Sequence, residues 1–410
     1  MKIQLVPKDL TAKIKVIGVG GAGGNAINDM IASQMAGVDF IAANTDAQVL
    51  DKSMASVKIQ LGTTVTRGLG AGGDPEMGRN AAQEESERIK QIIQGADMVF
   101  IAAGMGGGTG TGASPVIAEI SRDLGSLTVA VVSKPFEFEG KMKKRLAEGG
   151  IEELRKVVDT IITIPNDQLF KLSSKNSRIK DVFSMANEVL GFAVRGISDL
   201  IMVPGFVNLD FADVRTIMRE RGMALMGTGI SGGANRACEA AQKAISSPLL
   251  EDISISGARG ILINITSSPD ISMEELKEIC GIIQEEADEE AIIKWGLVYD
   301  EGLNEDIRVT VIATGLGKRP EAGRIVWSAP AATTQAEMDD LEIPTILRKA
   351  SEIPVAAAAG ATSAAAAGHQ PERRPAPNLG VVAAKKYIVH PDLAYEENEL
   401  DTPPFLRKAD

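Results

Sequence analysis

Gly106-Gly107-Gly108-Thr109-Gly110-Thr111-Gly112 forms a stretch nearly free of Cβ atoms. It follows an apolar run, Met98-Val99-Phe100-Ile101-Ala102-Ala103, and leads into Ala113-Ser114-Pro115-Val116-Ile117. The order read is strand, loop, then a helix with proline in its first turn. Such a loop lets backbone N–H groups close on an anion, and the helix N-terminus behind it adds positive dipole. Thr109 and Thr111 add hydroxyl donors at the same place. A plain strand–helix turn needs one or two glycines, not five with two threonines, so the chemistry expected here is phosphate binding.

A second glycine cluster strengthens that expectation. Lys13-Ile14-Lys15-Val16-Ile17 reads as a first strand, and Gly18-Val19-Gly20-Gly21-Ala22-Gly23-Gly24-Asn25 turns out of it. Ile27, Met30, Ile31 and Met35 then recur at helical spacing. Gly18, Gly20 and Gly23 satisfy GxGxxG, and Asp46 lies 23 residues past Gly23, near where a ribose-binding acid would fall. A nicotinamide-dependent oxidoreductase is therefore a competing reading, but it uses one such loop and leaves the GGGTGTG run idle. A third glycine-rich stretch, Gly68-Leu69-Gly70-Ala71-Gly72-Gly73-Asp74-Pro75, precedes another helix start. Three loops on one edge of a parallel sheet suit a triphosphate better than a buried pyrophosphate.

Those loops need a scaffold. Residues 13–176 alternate strand-like and helix-like segments, with strands near 14–18, 38–43, 98–103, 127–132 and 160–164, which predicts a parallel sheet covered by helices on both faces. Residues 177–202 read as one long helix whose apolar positions cover more than one stripe, as in a strut buried between two domains. Pro204-Gly205 stops it. Beyond it, 210–221 and 234–246 read as helices and 260–266 and 306–314 as strands, with a capping box at Ser272-Met273-Glu274-Glu275. From 318 the chain is rich in alanine, proline and mixed charge, a composition expected of a flexible linker. The division expected is a flexible segment 1–12, a nucleotide-binding domain 13–176, a central helix 177–203, an α+β domain 204–317, a linker 318–391 and a terminal peptide 392–410.

Composition narrows the function classes. The 410 residues carry a net charge of −12, which argues against nucleic acid or an anionic membrane surface as partner. Two cysteines without a CxxC pattern, and histidines only at 369 and 390, give no metal-site signature, so free thiols in a reducing cytoplasm are expected. No run approaches the ~18 apolar residues of a membrane span, and the N-terminus lacks a signal-peptide pattern. A soluble cytoplasmic protein follows, with any membrane role borrowed from a partner.

GGGTGTG with the upstream GGAGGN, Ala43-Asn44-Thr45-Asp46 and Asn208-Leu209-Asp210-Phe211-Ala212-Asp213 resemble the FtsZ family of tubulin-like bacterial division GTPases. The likeness runs from Lys13 to Gly317. It implies a Rossmann-type parallel-sheet GTPase domain joined by a long helix to a smaller α+β domain. It also implies GTP or GDP as ligand, with magnesium alongside. By the same resemblance Gly21, Ala22, Gly23, Gly24 and Asn25 lie against phosphates and sugar, together with Asn44. Ala71, Gly72 and Gly73 complete the γ-phosphate side, while Gly107, Gly108, Thr109, Gly110 and Thr111 cradle the α- and β-phosphates. Glu139 would accept from a ribose hydroxyl, and Lys143 stands where the family often has arginine, keeping the charge but losing the planar fork. Phe183 would stack on guanine and Asn187 read its edge, both on one face of the long helix. Read alone, Phe183 is equally a core residue, and Glu139 with Lys143 a surface ion pair.

No Walker lysine and no histidine stand near the loops to position water. Asp210 and Asp213, after Asn208, read alone as a helix N-cap and an acidic first-turn residue. The resemblance implies a different role: in such polymers this loop enters the nucleotide pocket of the next subunit and orients water or a cation for attack on the γ-phosphate. Positioning and electrostatics are what phosphoryl transfer requires. Contacts of that head-to-tail kind give filaments, here at the division site on the inner face of the membrane. A relative serving plasmid segregation or cell shape would keep the pocket but lack the Pro403-Pro404-Phe405-Leu406-Arg407-Lys408 tail. That tail matches the family's docking peptide for membrane tethers and regulators. Leu341–Ala350 repeats Leu400–Ala409 with six of ten positions identical. Both copies are therefore expected to bind one groove type, about 50 residues of coil spanning roughly 40 Å between them.

Overall fold

The computed structural model describes residues 12–172, 178–203, 205–219, 222–250 and 257–316. The expectations for residues 1–11, for the linker and for the peptides at 341–350 and 400–409 lie outside it. A ten-stranded sheet runs in the order β3-β2-β1-β4-β5-β6-β7-β10-β8-β9. Its first six strands are β1 (Ile14–Val19), β2 (Val38–Asn44), β3 (Val57–Gln60), β4 (Met98–Gly104), β5 (Leu127–Lys134) and β6 (Thr160–Pro165). They pair in parallel throughout.

The apolar runs form the inner strands because helices cover both faces, so that β4 and β6 are buried along nearly their whole length, while the edge strand β3 is only half-buried. In β4 the side chains alternate between two cores: Met98 and Phe100 join one cluster, Val99 and Ile101 the other, all four fully buried. On the second face lie α3 (Pro75–Glu84), α4 (Ser86–Ile93), α5 (Thr109–Asp123) and α6 (Lys141–Val157). The first face carries α1 (Gly20–Ala32), α7 (Asn166–Leu172) and the long α8 (Ile179–Met202), while α2 (Ala47–Asp51) bridges β2 and β3.

α8 is 24 residues, about 36 Å at 1.5 Å per residue. Val182, Ala186, Leu190, Ala193, Val194, Ile197 and Leu200 are buried along it, against α1 and the sheet. That is the several-sided burial its sequence predicts. Asn264 donates to the Gly196 carbonyl at 3.0 Å and pins the helix to β8 (Gly260–Ser267).

The second half continues the same sheet rather than starting another. β7 (Gly222–Ser231) pairs in parallel with β6 over Thr160–Ile162, then antiparallel with β10 (Ile307–Leu316), which pairs with β8. The edge strand β9 (Ile292–Tyr299) lies parallel to β8. β7 and β9 were not legible as strands, because Gly222-Met223-Ala224-Leu225-Met226-Gly227 lacks β-branched residues and Lys294 breaks the apolar pattern of β9. Packed on this half are α9 (Phe211–Met218), α10 (Arg236–Ile245) and α11 (Met273–Glu286). Ser272 and Glu275 cap α11 reciprocally, as the capping box predicts. Both cysteines are free. Among the described residues no helix is long and apolar enough to cross a membrane.

Candidate nucleotide-binding site

The carboxyl ends of β1, β4, β5 and β6 open into one cleft, lined by residues of the first two glycine loops and by Glu139, Lys143, Asn166, Phe183 and Asn187. This is the edge where ligands bind open α/β sheets. Two helices start there, α1 at Gly20 and α5 at Thr109, and neither has a side-chain cap on its first turn. α2 and α3, which also follow the glycine-rich edge, are capped by Asp46 and Asp74. The uncapped N–H groups of α1 and α5 therefore face the cleft without a protein acceptor, and an anion can supply one.

The glycines fall into two physical classes. A Cβ on Gly21 or Gly107, both lining the cleft, would meet nothing within 4 Å. The same holds for Gly24, Gly72 and Gly73. Packing does not require glycine at those positions, but the left-handed backbone at Gly72 (φ +59°) and Gly73 (φ +80°) does favour it; at Gly21, Gly24 and Gly107 the bare backbone leaves room for something held against it. Gly23 and Gly108 are different. Gly23 abuts the Ala102 carbonyl behind the cleft, and a Cβ on Gly108 would lie 2.8 Å from Ala71 Cβ and 2.8 Å from the Asp74 carbonyl oxygen. Gly108 thus joins the loop at Ala71–Asp74 to the GGGTGTG loop.

The remaining phosphate-side residues divide similarly. Ala22, Thr109 and Gly110 line the cleft, and Asn25 is exposed on the first turn of α1. Thr109 and Thr45 hydroxyls hydrogen-bond at 2.6 Å. Asn44 is buried at the end of β2, where its Oδ1 accepts from Asp46 N at 3.2 Å. Thr111 lies behind the cleft wall: its Oγ1 accepts from Gly106 N at 2.8 Å and so shapes the loop from within.

At the other end of the cleft stands an aromatic group that the sequence reading saw only in part. Phe183, 42% exposed despite its apolar helix, meets buried Phe136 edge-on at 5.3 Å, and Phe136 stacks on Phe138 at 5.1 Å. Glu139 Oε1 accepts from Phe136 N at 2.9 Å and its Oε2 pairs with Lys143 at 3.0 Å, so both sequence-predicted residues are at the cleft and bound to each other. Asn166 was missed. It follows the fully buried strand β6, and its buried Oδ1 has no partner. A polar residue directly after an all-apolar strand, on the edge where the loops converge, was the available signal. An orphaned amide oxygen lining the same cleft as a part-exposed aromatic ring suits a flat heterocycle that can hydrogen-bond.

Asn208, Asp210 and Asp213 are not in this cleft. Asp210 caps α9, Oδ1 accepting from Asp213 N at 2.7 Å, and Asn208 Oδ1 accepts from Gly205 N at 2.7 Å. Asp213 Oδ1 pairs with Lys294 Nζ at 2.9 Å. α9 packs against the opposite end of the sheet. Arg215 reaches the Gly125 carbonyl just before β5 begins, and Thr160, the first residue of β6, donates to the Met218 carbonyl. β5 is eight residues long, so acids and cleft stand about 25 Å apart within one chain at ~3.3 Å per residue.

Comparison with known proteins bears on this arrangement. Residues 13–174 match the model of the Tubulin/FtsZ family GTPase domain, and residues 222–317 that of the FtsZ family C-terminal domain. The chain is 50% identical over 362 residues to the cell division protein FtsZ of Pseudomonas aeruginosa, covering 85% of this chain and 92% of that one. The chain belongs to the FtsZ family. The FtsZ of Coxiella burnetii is 52% identical over 341 residues, covering 82% of this chain and 88% of the relative. Among solved structures, an empty FtsZ dimer from M. jannaschii superimposes with a TM-score of 0.72 at 45% identity, over 75% of this chain and 89% of that one. CetZ2 from Haloferax volcanii, in a GTPγS-bound protofilament, shares the fold at 20% identity with a TM-score of 0.64, over 75% and 94%. The fold that the family resemblance implied, a GTPase domain followed by a C-terminal domain, is therefore the fold of this chain.

Proposed function

We propose that this chain binds GTP in the cleft and hydrolyses it as a head-to-tail filament of the cell-division cytoskeleton. Membership of the FtsZ family and the match to its GTPase domain support guanine-nucleotide binding and GTPase activity in cell division. The observation that carries the finer reading is the separation of cleft and acids. One pole of the chain offers uncapped helix N-termini and bare glycine backbone; the other offers Asn208, Asp210 and Asp213. A group about 25 Å away cannot act within one molecule, but copies stacked with the same orientation bring one pole to the other.

In the cleft, Gly21, Ala22, Gly107, Gly108 and Gly110 offer backbone donors to the phosphates, with Thr109 adding its hydroxyl. Gly23, Gly24, Asn25, Asn44, Ala71, Gly72, Gly73 and Thr111 shape those loops or complete them. Phe183 presents its face to the base, and Asn187 with Asn166 gives the amides that read its edge. Glu139 and Lys143 stand at the sugar side. Among the described residues no group of three or more His, Cys, Asp or Glu could hold a metal. A magnesium ion would therefore take most of its ligands from the phosphates, where it supplies charge neutralisation. The acids of the next subunit orient the attacking water, so hydrolysis requires assembly.

Asp213→Ala should bind GTP with normal affinity yet hydrolyse it slowly, and wild-type turnover per subunit should vanish on dilution below the assembly threshold. Full-rate hydrolysis by dilute monomers would refute the split site. The filament is proposed to act at the division site on the inner face of the membrane, held by tethers that bind Leu400–Ala409. The repeated Leu341–Ala350 offers the same tethers a second contact. A chain ending before residue 392 should keep measurable tether binding through that first copy; none would remove the idea.

A further inference from the structure

The proposed acid pair is not alone at its pole. Asp210 is committed to its own helix through Asp213 N. The carboxylate of Asp213 turns instead to Lys294, at 2.9 Å, on the edge strand β9. The segment before α9 is stitched to the same strand. Phe206 N donates to the Leu297 carbonyl at 3.0 Å, and Leu297 N donates to the Val207 carbonyl at 2.9 Å. The acid-bearing segment is thus held on β9 at two places, by backbone bonds at Val207 and by the lysine at Asp213.

A lysine on an edge strand usually guards against strand-to-strand aggregation and extends into water. Lys294 does not: its side chain is 38% exposed and bound to an acid itself 35% exposed. An ion pair that open to solvent contributes little to stability. Its geometry has a different consequence. On the split-site reading, which this inference rests on, Asp210 and Asp213 approach a triphosphate, and two carboxylates meeting that many negative charges repel it. The whole chain, at −12, adds to the repulsion.

We propose that Lys294 is a positioning residue for hydrolysis: it holds the Asp213 carboxylate in one orientation and travels with it as counter-charge into the neighbouring subunit's cleft. Lys294 takes no proton and makes no bond to substrate. It sets where the water-orienting carboxylate stands and lowers the cost of bringing it to the phosphates.

The test uses the full chain with Lys294→Met, Lys294→Arg, Asp213→Ala and the double variant Asp213→Ala/Lys294→Met. Turnover is measured per sedimented subunit at saturating GTP, with thermal midpoint and monomer nucleotide affinity alongside. Lys294→Met should turn over about tenfold more slowly at unchanged midpoint and affinity, a size typical of a lost orienting contact. Lys294→Arg should recover most of the rate, and in the Asp213→Ala background Lys294→Met should change nothing further. Full turnover by Lys294→Met beside a slow Asp213→Ala overturns the role of Lys294 and leaves the split site standing. Full turnover by Asp213→Ala removes the split site itself, and this inference with it. An equal further loss in the double variant also overturns the proposal, because Lys294 would then act apart from Asp213.

Discussion

Asp199 lies in the last turns of α8, the helix that begins at the cleft and ends at the acid-bearing segment. Burial raises its carboxyl from 3.8 to about 6, against the opposing pull of Arg195 and Arg308 and with a further push from Asp300. Its position near a helix C-terminus, where the Asp199 carbonyl accepts from Val203 N at 3.0 Å, is also unfavourable for an anion. The folded pKa stands about two units above the unfolded one, so the ionised group disfavours folding by about 3 kcal/mol at 1.36 kcal/mol per unit. That penalty is absent below pH 4, grows between pH 4 and 6, and is complete above about pH 7. Asp199→Asn removes it but also takes an anion from Arg308, whose guanidinium burial already pushes down. Asp300 is the larger support for Arg308 and remains, so most of the gain survives. We expect Asp199→Asn to be more stable by about 2 kcal/mol at pH 8, raising the thermal midpoint by about 4 °C for a domain this large. The difference should shrink steadily as pH falls from 7 to 4. Calorimetry across that range reads both. A variant less stable than wild type at pH 8, or a gain that does not depend on pH, would show that the arginines dominate and the reasoning is wrong.

Three further substitutions test the cleft. Gly108→Ala forces a Cβ to 2.8 Å from Ala71 and the Asp74 carbonyl, so the third loop must shift; GTP affinity, by equilibrium dialysis, should fall at least tenfold while the fold persists. Thr111→Ala leaves buried Gly106 N without its acceptor, at a cost of about 1–3 kcal/mol seen as a lower thermal midpoint with weaker nucleotide binding. Phe183→Leu keeps the apolar bulk but loses the edge contact to Phe136 and the flat face; guanine nucleotide should bind roughly five- to tenfold more weakly, equivalent to about 1–1.4 kcal/mol, with little change in stability.

Much of this was readable in the sequence. The glycine loops announce themselves because close backbone approach needs residues without side chains, and α8 shows its several-sided burial in its spacing. The five strands expected in the first half are largely apolar, as doubly covered strands tend to be, with Lys15 in β1 and Asp39 in β2 the charged interruptions. β3 is only four residues on the sheet's edge, too short to register. The sequence also could not show that Gly23 and Gly108 pack while Gly21 and Gly107 stay open, since that depends on what other loops bring against them. Asn166 reaches the cleft from the end of β6, and Phe136, just past the end of β5, is buried behind Phe183, a contact between residues 47 apart in the chain. The partnership of Lys294 with Asp213 spans 81 residues and no local pattern encodes it.

The placement of cleft and acids at opposite poles has an arithmetic consequence. In the head-to-tail stack proposed above, with each centre split between neighbours, the last cleft at one end would have no neighbour to complete it, and the acids at the other end would have nothing to act on. A pair of subunits makes one working centre, three make two, and each addition brings one more. The rate per subunit should therefore climb steeply over the first few additions and then level off, while the nucleotide at one terminus outlasts the rest.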